Sequence, residues 1–285
     1  VKDGQAPSLK ATRIADWIER AALRHGTGAL SQPTLRALGG EAGYGEADIA
    51  LGLATASRRA ALLGDAYPFR VGMGVAARPD AADCPWTALL MMSSDSPVRP
   101  LLDIAATAAN LERITASALQ GLYGPRTEAV RFAWPSDDGR PQEFRAAIRW
   151  LASRMGVEAG DAYRPPYAKD GGVDVVVWLP FPDRRSGFPV MLIQCTLERD
   201  YVHKARDVDL PIWSGYLRLD VAPATALAIP EVVPGGEEWN ALAARTVVLD
   251  RTRLAALAGG GPEGRLSADL TTWTAQALEN LRGLS

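Results

Sequence analysis

The chain has 285 residues, 47% of them hydrophobic and 22% charged, with a formal net charge of −2. That is the composition of a folded globular protein, long enough for one large domain or two ordinary ones. Two cysteines exclude a disulfide framework or a zinc-ligand set, and the charge excludes a global basic field, so any nucleic acid would have to be bound by a local patch.

Only four basic residues are lysines: Lys2, Lys10, Lys169 and Lys204. Cys84 and Cys195 lie far apart, and Cys195 falls in an apolar run where a thiol behaves as a small hydrophobe. No leader and no membrane-length apolar run is visible, so the expectation is a cytoplasmic protein with no membrane partner.

In chain order, apolar spacing predicts a helix over residues 8–24, a second over 32–38 and a third over 46–63. The stretch 67–75 reads as a strand, with 86–92 as its hairpin partner across the polar turn at 78–83. Residues 101–122 form the longest predicted helix, with Ile104, Ala108, Leu111, Ile114, Ala118 and Leu122 on one face. No metal, phosphate or nucleophile motif stands out here, so the first half reads as a support or interaction module.

The run from Trp134 to Pro141, with proline, glycine and paired aspartates, is the clearest break. Pro141 suits the first turn of a helix to about Met155, with Phe144, Ile148, Leu151 and Met155 on its core face. Strands from Val173 and over 189–197 follow, then a helix over 199–208, strands at 225–233 and 245–249, and a terminal helix over 267–281. The expected organisation is a mainly helical region with a β-hairpin over 1–138 and an α/β domain with a mixed central sheet flanked by helices over 139–285.

The informative residues sit on two of these strands. Lys169-Asp170-Gly171-Gly172-Val173-Asp174 is a glycine turn that delivers a carboxylate to the start of an apolar strand, and Leu192-Ile193-Gln194-Cys195-Thr196 carries a glutamine in another. Alternation puts Leu192, Gln194 and Thr196 on one face. If the strands pair antiparallel through the turn at 182–187, Asp174 and Gln194 converge. Asp174, the Gln194 carboxamide oxygen and a backbone carbonyl would suit a hard cation such as magnesium.

Each residue also has a structural reading. Asp174 could cap the glycine turn, and Lys204 could be a solvated residue in a charged run. Gln194 is the hardest to explain as core. His25 and His203 lack ligand partners, and Gly259-Gly260-Gly261 reads as a linker, since no strand leads into it. Asp250, Arg251 and Arg253 could add charge near a phosphate or begin a helix.

The run Asp170-Gly171-Gly172-Val173-Asp174-Val175-Val176 with Ile193-Gln194-Cys195-Thr196 resembles the core of the PD-(D/E)xK, restriction endonuclease-like nucleases, closest to the Mrr-like subgroup. The resemblance spans about residues 142–205. It implies a restriction endonuclease-like fold and a nuclease using Mg2+ or Mn2+ on nucleic acid, with DNA the expected substrate, in prokaryotic defence. It also implies that Asp174, Gln194 and Glu143, the last on the preceding helix, hold the metal. The helical first half could recognise a protein partner, and a homodimer would suit cleavage of two strands. Glu143, in the first helical turn, also suits the helix macrodipole. The family's lysine is replaced by Thr196, which has only a hydroxyl. Lys204 is the candidate replacement cation and Lys169 a weaker one. The competing reading is a catalytically degenerate fold that binds nucleic acid or protein. No Gly-x-Ser-x-Gly elbow or HExxH helix supports another hydrolase.

Overall fold

The computed structural model describes residues 8–136, 139–163, 169–259 and 266–284. Asp137 and Asp138 of the central break, and Gly260 and Gly261 of the glycine linker, lie outside these. The chain begins with α1 (Leu9–Arg24), β1 (Ala29–Ser31), α2 (Gln32–Glu41) and α3 (Glu46–Leu63), followed by β2 (Phe69–Val71), β3 (Gly74–Ala77) and α4 (Pro85–Met92). Next come α5 (Ile104–Tyr123), β4 (Glu128–Arg131), α6 (Phe144–Met155), β5 (Glu158–Ala159), β6 (Val175–Trp178) and β7 (Val190–Cys195). The remainder holds α7 (Leu210–Tyr216), β8 (Leu217–Arg218), β9 (Ala224–Ala228), α8 (Glu237–Ala243), β10 (Val247–Leu249), α9 (Arg251–Gly259) and α10 (Ala268–Gly283). Among the described residues, no helix is long and apolar enough to cross a membrane.

These elements gather into two compact units. The first holds Val1–Thr107, Pro230–Asn240 and Asp250–Ser285, and the second holds Ala108–Ile229 and Ala241–Leu249. This differs from a single break at 138/139. Most of α5, together with β4, belongs with the sheet of the second unit, because β4 hydrogen-bonds along β6 from Arg131↔Val175 to Glu128↔Trp178.

In the first unit, α1 packs on α3 and α10, while α4 packs on α9. The hairpin is more local than the sequence suggests: β2 and β3 pair antiparallel within 69–77, and β1 completes the sheet in the order β1-β3-β2. Residues 86–92 are helical rather than extended. A continuous apolar run fits a buried helix as well as a strand, and Pro85 at the first helical position with burial of the whole of α4 decides for the helix.

The first unit also buries a charged cluster. Arg251 grips Asp16 with both terminal nitrogens at 3.0 and 2.9 Å, and Arg59 reaches the same carboxylate at 2.7 Å. Tyr67 and Trp86 donate to Glu19 at 2.6 and 2.8 Å. Every formal charge here has an opposite neighbour, as buried charge requires.

The second unit carries the mixed five-stranded sheet, in the order β10-β9-β7-β6-β4. β6 runs antiparallel to both of its neighbours, β4 and β7, whereas β7, β9 and β10 run parallel. The expected antiparallel pairing of the two site strands holds, with Val175 opposite Ile193 and Trp178 opposite Val190. On one face, Val176, Trp178, Val190 and Leu192 pack with Phe144, Ile148 and Leu151 of α6 and with Trp213 and Tyr216 of α7. The helix expected over 199–208 is a single 3₁₀ turn at Val202–Arg206.

Candidate active site

The geometry around Asp174 begins with the glycine turn. Gly171 and Gly172 adopt φ of +65° and +77°, a region that L side chains rarely enter. A Cβ on Gly172 would lie 2.5 Å from the Asp207 carbonyl oxygen, so the backbone approach there requires glycine. Asp170 accepts the Gly172 N–H at 3.0 Å, and Trp213 donates its indole N–H to the Gly171 carbonyl at 3.0 Å. Trp213 in turn stands edge-on to Phe132 and Tyr216. An aromatic nest thus fixes the turn that aims Asp174.

Asp174 sits one residue before β6. Its N–H bonds to the Ile193 carbonyl, and its own carbonyl accepts the N–H groups of Phe132 and Ala133 at the end of β4. Continuing the register one step beyond Val175↔Ile193 brings Asp174 opposite Gln194. The side chains meet: Gln194 Nε2 donates to Asp174 Oδ2 at 2.9 Å and to the Cys195 carbonyl at 3.1 Å. The Cys195 N–H donates to the same Oδ2 at 2.7 Å.

The carboxyl is only 8% exposed, and burial pushes its pKa up to about 8, with the nearby Glu112 and Asp170 carboxylates adding to the rise. The Cys195 N–H and the Arg131 guanidinium pull it back without cancelling it. Cys195 follows the same logic: burial and the Asp174 carboxylate raise its thiol well above the usual range. Such a site carries an electrostatic demand for positive charge.

Glu112 and Arg131 are the site residues that the sequence reading missed. Glu112 lies on α5, and Arg131 on β4 donates Nε to it while its terminal nitrogens donate to the Pro135 carbonyl at 3.2 Å. Both side chains are buried. The signal was present: Glu112 stands beside Leu111 and four residues after Ala108, on the apolar stripe of a long helix.

The other expected residues have different partners. Glu143 is the N-cap of α6, with its two oxygens accepting the N–H groups of Arg145 and Ala146 at 2.9 and 2.8 Å, and it is exposed. Those bonds, rather than contact with Asp174, account for its lowered pKa. The Lys204 ammonium lies 3.1 Å from Glu198 and 3.3 Å from Asp207, and these carboxylates raise its pKa. Lys169 stacks over the Trp134 ring at 4.5 Å. Thr196 is buried, and its hydroxyl accepts the Glu198 N–H at 3.1 Å, which turns the chain out of the sheet.

Among the described residues, no group of three His, Cys, Asp or Glu side chains is placed to hold a metal ion. The donors at hand are the Asp174 carboxylate, the Gln194 carboxamide oxygen and the Cys195 carbonyl. All three are hard oxygens, the chemistry of Mg2+ or Mn2+, and magnesium commonly uses one or two carboxylates and retains waters. As arranged, Gln194 turns its NH2 to Asp174, so ligation would require its carboxamide to rotate.

No protein-family model matches the chain, and no curated protein matches it. A solved structure, that of MspJI restriction endonuclease in complex with a 27-mer oligonucleotide, is similar over 66% of this chain, with 16% identity and a TM-score of 0.25. The chain matches 39% of the length of that protein.

Proposed function

We propose that the second unit is a metal-dependent nuclease site that cleaves phosphodiester bonds in nucleic acid, with DNA the expected substrate in a prokaryotic restriction-type system. The observation that carries this reading is the meeting of Asp174, at the entry to β6, with Gln194 on the antiparallel β7, behind a turn that only glycine can make. Asp174 and Gln194 are the proposed metal ligands, and Glu112 supplies negative charge nearby. Bound there, Mg2+ or Mn2+ would lower the pKa of water and stabilise charge developing on a phosphate. Asp174 would hold the cation as the deprotonated carboxylate, which the Cys195 N–H orients.

The second reading, a degenerate fold that binds nucleic acid without cutting it, is favoured by Thr196 at the lysine position and by the two carboxylates on Lys204. Cleavage of plasmid and single-stranded DNA with magnesium or manganese separates the readings, comparing wild type with Asp174→Ala and Lys204→Ala. Metal-dependent cutting lost in Asp174→Ala supports the nuclease, and parallel loss in Lys204→Ala gives that lysine a part in it. Clean wild type that binds DNA and leaves it intact supports the binding fold.

A further inference from the structure

A cavity of about 320 Å³ opens in the second unit, lined by α5, β4 and α6. Three elements build it. Arg113, Ser117 and Gln120 form a stripe at i, i+4 and i+7 along α5, Trp150 and Arg154 follow at i and i+4 on α6, and Arg131 comes from β4, the edge strand of the sheet. The lining contains three arginines and no carboxylate residue, in a chain whose net charge is −2. Arg154 lies over the half-buried Trp150 ring, with its guanidinium carbon 5.2 Å from the ring centroid.

We propose that this groove binds one nucleotide of a single-stranded nucleic acid, with the base against Trp150 and Arg154 and the phosphate facing Arg113. Arg131 lines the groove with its guanidinium paired to Glu112 and also neighbours Asp174, so the groove adjoins the candidate active site while Arg113 and Arg154 supply its positive charge. The inference rests on the nuclease reading for the polymer, and on the groove's own chemistry for the form of the strand. Arginine matches phosphate through a planar fork of donors, and an aromatic face accepts any base. The volume lies at the lower end of small-ligand clefts, about 300–1,000 Å³, which suits one splayed-out base. In a duplex the bases are stacked inside and cannot reach a recessed ring.

The test is a fluorescence-anisotropy titration of a labelled oligothymidine in EDTA, which keeps the strand intact. Wild type is compared with Arg113→Gln, Arg154→Gln, Trp150→Ala and Trp150→Phe, each checked for an unchanged far-UV spectrum and melting temperature. Each arginine variant should bind several-fold more weakly and flatten the slope of log K against log salt by about 0.7. Trp150→Ala should weaken binding by about 10-fold or more, and Trp150→Phe should restore most of it. Folded variants that all bind like wild type would overturn the proposal. So would a blunt duplex, or polyglutamate, that binds as tightly and is lost in the same variants. Cleavage of the same strand with magnesium is followed in parallel: a bound but uncut strand leaves the groove standing and removes the nuclease reading.

Discussion

Gln194 and Asp174 face each other across β7 and β6, and one carboxylate oxygen, Oδ2, takes both the Gln194 amide and the Cys195 N–H. The two donors orient the acid, but burial and the Glu112 carboxylate outweigh them, so its pKa of about 8 leaves it protonated at neutral pH. A buried acid next to another acid weakens the fold once ionised.

Stability should therefore fall as pH rises. Between about pH 4, where an unfolded aspartate ionises, and about pH 8, the folded state holds a proton that the unfolded chain has released. Asp174→Asn removes that dependence. It should be nearly neutral near pH 4 and stabilising by on the order of 5 kcal/mol near pH 9. Urea denaturation across this range measures it, and parallel curves for the two proteins would refute the shift.

A divalent cation should reverse the penalty by pairing with the ionised carboxylate. Magnesium or manganese at a hundredfold excess over its Kd should add about 2.7 kcal/mol to the stability of wild type, with proton release on binding. EDTA should undo the gain, and Asp174→Asn should show little of it. An equal rise in melting temperature for the variant would place the cation elsewhere.

The turn that aims Asp174 gives a backbone prediction. Gly172→Ala forces a Cβ to 2.5 Å from the Asp207 carbonyl oxygen and into positive φ, so stability should drop by about 1–3 kcal/mol. Asp174 would shift with the turn, and cation-dependent stabilisation should weaken beyond the loss of stability itself. Thermal melts with and without manganese separate the two effects.

The glycine turn, the two site strands and their antiparallel pairing were legible because local rules specify them: positive φ needs glycine, and buried strands read as apolar runs. Residues 86–92 read as a strand from sequence and form a helix in the fold because a short, fully apolar run has no period to separate helix from sheet, and only tertiary burial decides. The resemblance points to Glu143 on the nearest upstream helix, where the carboxylate caps α6, while the acid whose charge reaches Asp174 is Glu112. Glu112, 62 residues before Asp174 in the chain, comes close through long-range packing that spacing does not encode. Arg131 was missed with it, since β4 is a four-residue edge strand that alternation alone could not identify.

The first unit supplies the opposite pH signature. Burial would raise the Asp16 pKa, but Arg251, Arg59 and Arg20 outweigh it and hold the carboxyl well below the usual range. Its contribution is therefore present above about pH 4 and lost as pH falls toward strong acid, the reverse of Asp174. Asp16→Ala leaves Arg251 buried, 1% exposed, without the carboxylate that both its terminal nitrogens grip. The cost should be about 3–5 kcal/mol at neutral pH, and it should shrink on acidification as wild type loses the same charge. Chemical denaturation of both proteins at neutral and acid pH checks this: a variant within about 1 kcal/mol of wild type would mean that the cluster contributes no more than a surface ion pair.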